Sequence, residues 1–394
     1  MTPTERQRLL ATYRDGLLLD TVPFWTRHAV DREAGGFLIA LDRDGSVLDT
    51  DKGMWPQGRF TWLLATLFNT VERRPEWLEL AAHGVEFIRR YGFDTDGRMF
   101  FQVTREGRPL RKRRYVFSEA FAAMAMAAYA KASGDARAAE DAVSLFERFI
   151  HYANTPGALP PKVFPGTRQA KSIGIPMITI NLAQTLRDTI DAPGCNAHIE
   201  RCIEEIRRDF MKPDRRVVME TVGPHGEFID HFDGRTLNPG HAIEASWFIL
   251  HEARHRGNDA DMTRIGLDIL DWMWERGWDP EYGGILYFRD VNGGPVQEYW
   301  HDMKFWWPHN ETVIATLLAC EMTGDTRYED WHRQVHDWSY RHFPDPEYGE
   351  WFGYLHRDGR LSVRLKGNLW KGPFHLPRMQ WYCWRLLAGN SSLG

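Results

Sequence analysis

The chain has 394 residues, room for two or three average domains or one large repetitive one, and a mean hydropathy of -0.48 with 26% charged residues marks a globular protein. A net charge of -5 without a lysine-rich stripe excludes the electrostatic footprint of a nucleic-acid binder; the basic run at 111–114 is too short to track a phosphate backbone and reads as a solvated hairpin edge. No stretch has the sections of a signal peptide or the length of a membrane span, so no membrane partner and a cytoplasmic location are expected.

The four cysteines, Cys195, Cys202, Cys320 and Cys383, show no C-x-x-C pairing, so neither a zinc cage nor a redox dithiol is expected and no metal site is assigned. They read as reduced, mostly buried thiols. Aromatic residues are unusually rich at 13%, with 17 Trp. Sugar sites often use aromatic faces, while any single Trp is more simply explained as core.

Along the chain a turn-rich signature recurs: an acidic residue, Gly, a short alternating strand and a second Asp-Gly-like turn. Copies begin at Asp31, Asp94, Asp279 and Asp345, with a weaker one around Asp214 (PDRRVVMETVGPHG) and room for a degenerate one near Asn154. The period of about 65 residues divides the chain into six units. Each unit carries two helical patterns, predicting helices at 5–26 and 56–72, 76–91 and 116–133, 137–153 and 172–190, 197–210 and 240–256, 260–277 and 307–324, and 328–343 and 373–388. The second helix of each pair is the more apolar, as in FAAMAMAAYA from Phe121; the first is amphipathic, with Glu140, Asp141, Glu147 and Arg148 on an outer face. Six hairpins that each need a neighbour predict an all-α, (α/α)6 toroid with short β-hairpins at one rim, as a single domain over 1–394. Closure is favoured over an open solenoid because no polar capping repeat ends the chain.

If the inner helices share a direction, their N-termini face one end of the ring. That end gathers Arg59, Tyr115, Glu119, His241, Glu244, Trp307, His309, Glu311, Trp370 and His375, with Asn181 deeper. Single polar residues at helix starts are usually caps, but Arg, His and Trp cap poorly, and their convergence on one rim calls for another explanation. Converging helix N-termini favour developing negative charge, and histidine both takes and gives a proton near neutrality.

The stretches MWPQGRFTWLL, GHAIEASW, WWPHNETVIA, DPEYGEWFGYLHRDG and LWKGPFHLPR resemble the N-acylglucosamine 2-epimerase family, in order and spacing along nearly the whole chain. The resemblance implies the (α/α)6 barrel and interconversion of N-acetylglucosamine and N-acetylmannosamine; cellobiose 2-epimerases and mannose isomerases are relatives. It carries over onto Arg59, His241, Glu244, Trp307, Glu311, Trp370 and His375. It implies ring opening, removal of the C2 proton and its return to the opposite face. His241 and His375 are then the acid/base pair, Arg59 the stabiliser of the anionic oxygen, Glu244 and Glu311 orienting or hydroxyl-binding groups, and Trp307 and Trp370 walls; Tyr115, Asn181 and His309 are further substrate-binding candidates. Thr185 stands where the cellobiose branch has a His, which favours the N-acylglucosamine or a monosaccharide branch. The segment 160–171 is more basic and less glycine-rich than in the animal enzymes it resembles, so a nucleotide effector has no support in the sequence; no Gly-rich phosphate loop of either common type is present, and no cofactor is expected. The expected partner is a small sugar, with a homodimer as a possible assembly.

The same residues serve an aldose-ketose isomerase or a mannose/glucose 2-epimerase. A glycoside hydrolase would instead use a pair among Glu119, Glu244 and Glu311, and a non-catalytic sugar-binding protein would use the aromatic walls alone. HEARH at 251–255 matches a zinc-protease pattern but ends a helix opposite the rim without a third ligand, and reads as a charged helix terminus.

Overall fold

The computed structural model describes residues 1–161, 164 and 166–389. In the segment 160–171, weighed above for nucleotide activation, 162, 163 and 165 lie outside the described residues. The twelve expected helices are present. The inner set is α3 (Met54–Thr70), α5 (Phe117–Ser133), α7 (Gly174–Ile190), α10 (Pro239–His255), α12 (Trp306–Thr323) and α14 (His375–Leu387). The outer set is α1 (Pro3–Asp15), α4 (Pro75–Tyr91), α6 (Ala136–Asn154), α8 (Cys195–Glu205), α11 (Ala260–Gly277) and α13 (Thr326–His342). Burial separates the sets: 15 of the 18 residues of α12 are buried against 6 of the 17 of α13.

Each inner helix packs on the next, α3 on α5, α5 on α7, α7 on α10, α10 on α12 and α12 on α14. The ring closes where α14 meets α3. The Trp62 and Trp381 rings cross edge to face at 6.0 Å, Trp381 Nε1 donates to Thr70 Oγ1 over 2.9 Å, and Trp62 meets Phe374 at 5.4 Å. Outside, each of the other outer helices packs on the inner helix that precedes it and α1 packs on α14, so the pairs are shifted by one helix from those expected from the repeat, and the first and last helices form the sixth pair. The expected single helix at 5–26 is instead α1, a π-helical stretch Gly16–Thr21 and α2 (Val22–His28); Pro23 removes one backbone donor at the start of α2. A second π stretch, Ile206–Phe210, ends α8, and a single turn, α9 (Phe232–Arg235), was not foreshadowed by periodicity.

The recurring turn is the part that aligns the rim. Five copies close with antiparallel pairing at the same place: single bridges join Val30 with Phe37, Phe93 with Met99, Trp278 with Ile285 and Pro344 with Trp351, and a two-residue ladder joins Met211 with Val218 and Lys212 with Val217. In three of them the signature aspartate is buried and paired with a lysine that immediately precedes or leads toward the next inner helix. Lys52 Nζ lies 2.8 Å from Asp31, Lys304 3.0 Å from Asp279 and Lys366 3.0 Å from Asp345. Each lysine also donates to a carbonyl of the turn, Gly35, Gly283 and Gly349 respectively. An arginine from a neighbouring unit closes each site: Arg105 on Asp31, Arg357 on Asp279 and Arg43 on Asp345. A buried carboxylate with two cations and backbone donors satisfies its lone pairs, and it ties an outer-helix turn to an inner-helix entrance. The 111–114 run does border a hairpin: Pro109–Arg111 pairs with Gln102–Val103. All four cysteines are buried and free.

Candidate active site

A cavity of about 530 Å³ opens at the N-terminal ends of the inner helices. Its walls are mostly aromatic: Trp55 from α3, Phe117 and Phe121 from α5, Trp306 and Trp307 from α12, Tyr354 from the short strand Tyr354–Leu355, and Tyr287, Trp300 and Trp370 from the loops between. Polar groups reach it at few points, Arg59, His241, Glu244, His375 and Arg378. Such a lining suits a sugar, whose C–H faces stack on rings while a few groups orient its hydroxyls.

The two histidines both pack against one indole. The Trp307 ring lies 5.0 Å from the His241 centroid and 5.7 Å from that of His375. Each imidazole is held through Nδ1 by a carboxylate. His375 Nδ1 lies 2.7 Å from Glu311 Oε1, and His241 Nδ1 lies 3.0 Å from Glu220 Oε2. A carboxylate can only accept, so Nδ1 carries the proton in both rings and Nε2 is the nitrogen left for chemistry. His241 sits in the first turn of α10, whose cap is Asn238; the Asn238 Oδ1 accepts the His241 backbone N–H over 3.1 Å.

Arg59 is held by rings rather than by acids. Its guanidinium lies 4.1 Å from the Phe121 centroid and 4.6 Å from that of Phe374, with Trp55 at 5.5 Å. Among the described residues nothing accepts a hydrogen bond from it, and its Nε is buried. Burial pulls its pKa down to about 9, which leaves it a cation at neutral pH with donors uncommitted. Arg378 has the opposite setting. It bonds Glu244, and its Nη2 lies 2.7 Å from Glu311 Oε1. Glu311 also accepts from Trp247 Nε1 over 2.8 Å. The donor atoms of Glu244, Glu311 and His375 gather within 4.8 Å of one another, and the cation among them is the Arg378 guanidinium.

The sequence matches the family model described as N-acylglucosamine 2-epimerase (GlcNAc 2-epimerase) over residues 35–375. The chain belongs to the N-acylglucosamine 2-epimerase family. The N-acylglucosamine 2-epimerase of Bos taurus is 38% identical over 395 residues, covering 97% of this chain and 93% of that one. The Homo sapiens enzyme of the same description is 36% identical, covering 98% and 92%. Among solved structures, a cellobiose 2-epimerase from Bacillus thermoamylovorans B4167 superposes with a TM-score of 0.84 at 21% identity, over 97% of this chain and all of that one. The fold is that of the (α/α)6 barrels, and the chain is an isomerase-class sugar epimerase of this family.

Within this epimerase the structure brings Arg59, His241, Glu244, Trp307, Trp370 and His375 to the cavity wall, with Glu311 directly behind His375. Glu244, expected as an orienting or hydroxyl-binding group, lines the cavity and pairs with Arg378. Tyr115 stands behind the wall, its ring 5.8 Å from Trp55. Asn181 is buried one turn below the lining residues Met177 and Ile178, and Thr185 turns its hydroxyl to the Asn181 carbonyl at 2.9 Å.

His309 is a correction. It is fully buried, accepts the Ile285 N–H at Nε2 over 2.9 Å, donates from Nδ1 to the Phe305 carbonyl, and stacks on Trp338 at 4.7 Å. Burial lowers its pKa to about 3, so it is a neutral clamp between a turn and α12. Glu119 is likewise structural, accepting from Arg98 Nε over 3.0 Å and from the Met99 N–H over 2.9 Å. With Glu244 and Glu311 committed to Arg378, none of the three carboxylates considered for hydrolysis is left unpaired. In HEARH, Glu252 is bound by Arg187 and Arg256, and His251 meets the Tyr382 hydroxyl at 2.7 Å.

Sequence reasoning missed Arg378, Glu220 and Trp247. Arg378 stood three residues after His375 on one helical face, a legible signal. Glu220 lay in the weaker copy of the turn signature around Asp214, where nothing in its neighbours announced a partner 21 residues on.

Proposed function

We propose that the chain interconverts N-acetylglucosamine and N-acetylmannosamine, without a cofactor, by ring opening followed by deprotonation and reprotonation at C2. The observation that carries this is the pair of carboxylate-held imidazoles that both pack against Trp307 in one cavity, with an arginine of uncommitted donors on the same wall. Opening the hemiacetal places an aldehyde at C1 and acidifies the C2 hydrogen. One imidazole Nε2 takes that proton, the electron pair moves into a C1–C2 double bond, and the negative charge on the C1 oxygen meets Arg59. The other imidazole returns a proton to C2 from the opposite face. Trp307 and Trp370 wall the sugar and keep bulk water from the intermediate. Identity of 36–38% with N-acylglucosamine 2-epimerases, over nearly the whole of both chains, supports the acetamido sugar.

The test is to incubate purified, dialysed protein with N-acetylmannosamine, and separately with mannose, and to follow the anomeric proton signals by NMR. Appearance of N-acetylglucosamine at a rate well above that from mannose is expected. A ketose as product, or turnover of mannose alone, would contradict the assignment.

A further inference from the structure

The two histidines share a design and differ in one respect. Glu311, which holds His375, is neutralised by Arg378, whereas Glu220, which holds His241, has no cation among the described residues other than that imidazole. The Glu220 side chain is 19% exposed and touches the Ser172 hydroxyl at 3.4 Å. Its position is fixed by the backbone: the Ile173 N–H donates to the Glu220 carbonyl over 3.1 Å, and Thr221–Val222 pairs with Lys171–Ser172 at the entrance of α7. The Asn238 Nδ2 lies 3.0 Å from the same Nδ1. Two donors cannot share one bond, and Glu220, which can only accept, decides that the proton sits on the ring.

We propose that Glu220 is a positioning residue that gives the histidines unequal roles, holding His241 as the proton-bearing acid and leaving His375 as the base in the resting enzyme. The inference rests on the C2-epimerase reading above. His241 is faced by Glu220 from the turn, Glu244 on its own helix and Glu311 from α12; burial opposes its charge, but these carboxylates raise its pKa above the ordinary value. His375 is faced by Arg378 on its own helix, Arg59 from α3, Glu244 and His241 from α10, and Glu311. Burial and then Arg378 hold it well below the ordinary value. The resting form therefore accepts the sugar whose C2 hydrogen faces His375. His375 Nε2 takes that proton, His241 Nε2 gives one to the opposite face, and the pair ends with the charge on His375. The proton then returns to His241 through solvent, completing the cycle with no net gain or loss.

The test compares wild type, Glu220→Gln and Glu220→Asp, each followed by the pH profile of kcat/KM and by epimerisation in deuterated water. In wild type the basic limb reports loss of the His241 proton. In Glu220→Gln that limb moves down by about one pH unit, epimerisation at pH 8 falls at least tenfold, and Glu220→Asp restores the limb. In deuterated water Glu220→Gln incorporates more deuterium into recovered starting sugar per product formed, because His375 still removes and returns a proton on its own face. A Glu220→Gln profile superimposable on wild type, whatever its absolute rate, overturns the proposal. Imidazole nitrogen NMR of the histidine-labelled wild-type protein gives the same answer without a variant: His241 charged and His375 neutral at pH 6.5 supports it, and the reverse order overturns it. Failure of the C2-epimerase reading shows elsewhere, as wild type that exchanges no C2 hydrogen with any sugar.

Discussion

Arg59 lies against Phe121 and Phe374 and bonds no carboxylate among the described residues, which keeps its charge available for an anion that exists only in the transition state. Arg59→Lys retains the charge but not the flat group that fills this slot, and is expected to lower kcat by about two orders of magnitude with KM little changed. Steady-state kinetics, with near-UV circular dichroism to verify folding, checks it. His375→Asn and His241→Asn should each lose at least about two orders of magnitude in rate. Removing Arg378 acts differently, because Glu244 and Glu311 then lie buried without a counter-ion. Arg378→Met is expected to cost about 3–5 kcal/mol of stability, measured by denaturant titration. These residues also show what a linear pattern conveys. His375 and His241 announced themselves because histidine is an odd residue for a first helical turn; Arg378 carried a similar signal and was passed over. His309 met the same criterion and is a clamp, because a buried imidazole satisfies a turn N–H and a helix carbonyl as well as it serves a substrate.

Helices were legible from apolar periodicity, and ten of the twelve run within a few residues of their expected bounds without interruption. The exceptions, at the end of α8 and between α1 and α2, are π stretches, where one extra residue per turn leaves the composition unchanged. The turn signature was legible as a turn, but its aspartate's partners were not, since Lys52, Lys304 and Lys366 lie about 21–25 residues away and the arginines come from other units. Burial alone would raise the carboxyls of Asp31, Asp279 and Asp345, but the paired cations hold all three well below the usual range. A folded-state pKa below the unfolded one contributes stability that is fully present above about pH 4 and is lost as pH falls through the folded value. Stability measured by urea titration should thus be insensitive to these groups at neutral pH and decline below about pH 4. Asp279→Asn leaves Lys304 buried without its carboxylate and is expected to lower stability by about 3–5 kcal/mol and flatten part of that acid decline.

At the scale of the molecule, the ring makes one site from residues more than three hundred positions apart. Arg59 on α3 and His375 on α14 meet because the last inner helix closes on the first through Trp62, Trp381 and Thr70. Closure was expected from the absence of polar capping repeats, and the family resemblance named the reaction; neither could show which carboxylate serves which imidazole. Trp381→Ala should cost about 3–5 kcal/mol and, by loosening the seam, lower activity before global unfolding, as activity and circular dichroism followed together on heating would show. The central claim is that this ring moves a proton at C2. Incubating N-acetylmannosamine with the protein in deuterated water and following the C2 hydrogen by NMR tests it most directly. N-acetylglucosamine carrying deuterium at C2 is the expected product; retention of the original hydrogen at C2 in both sugars contradicts the account.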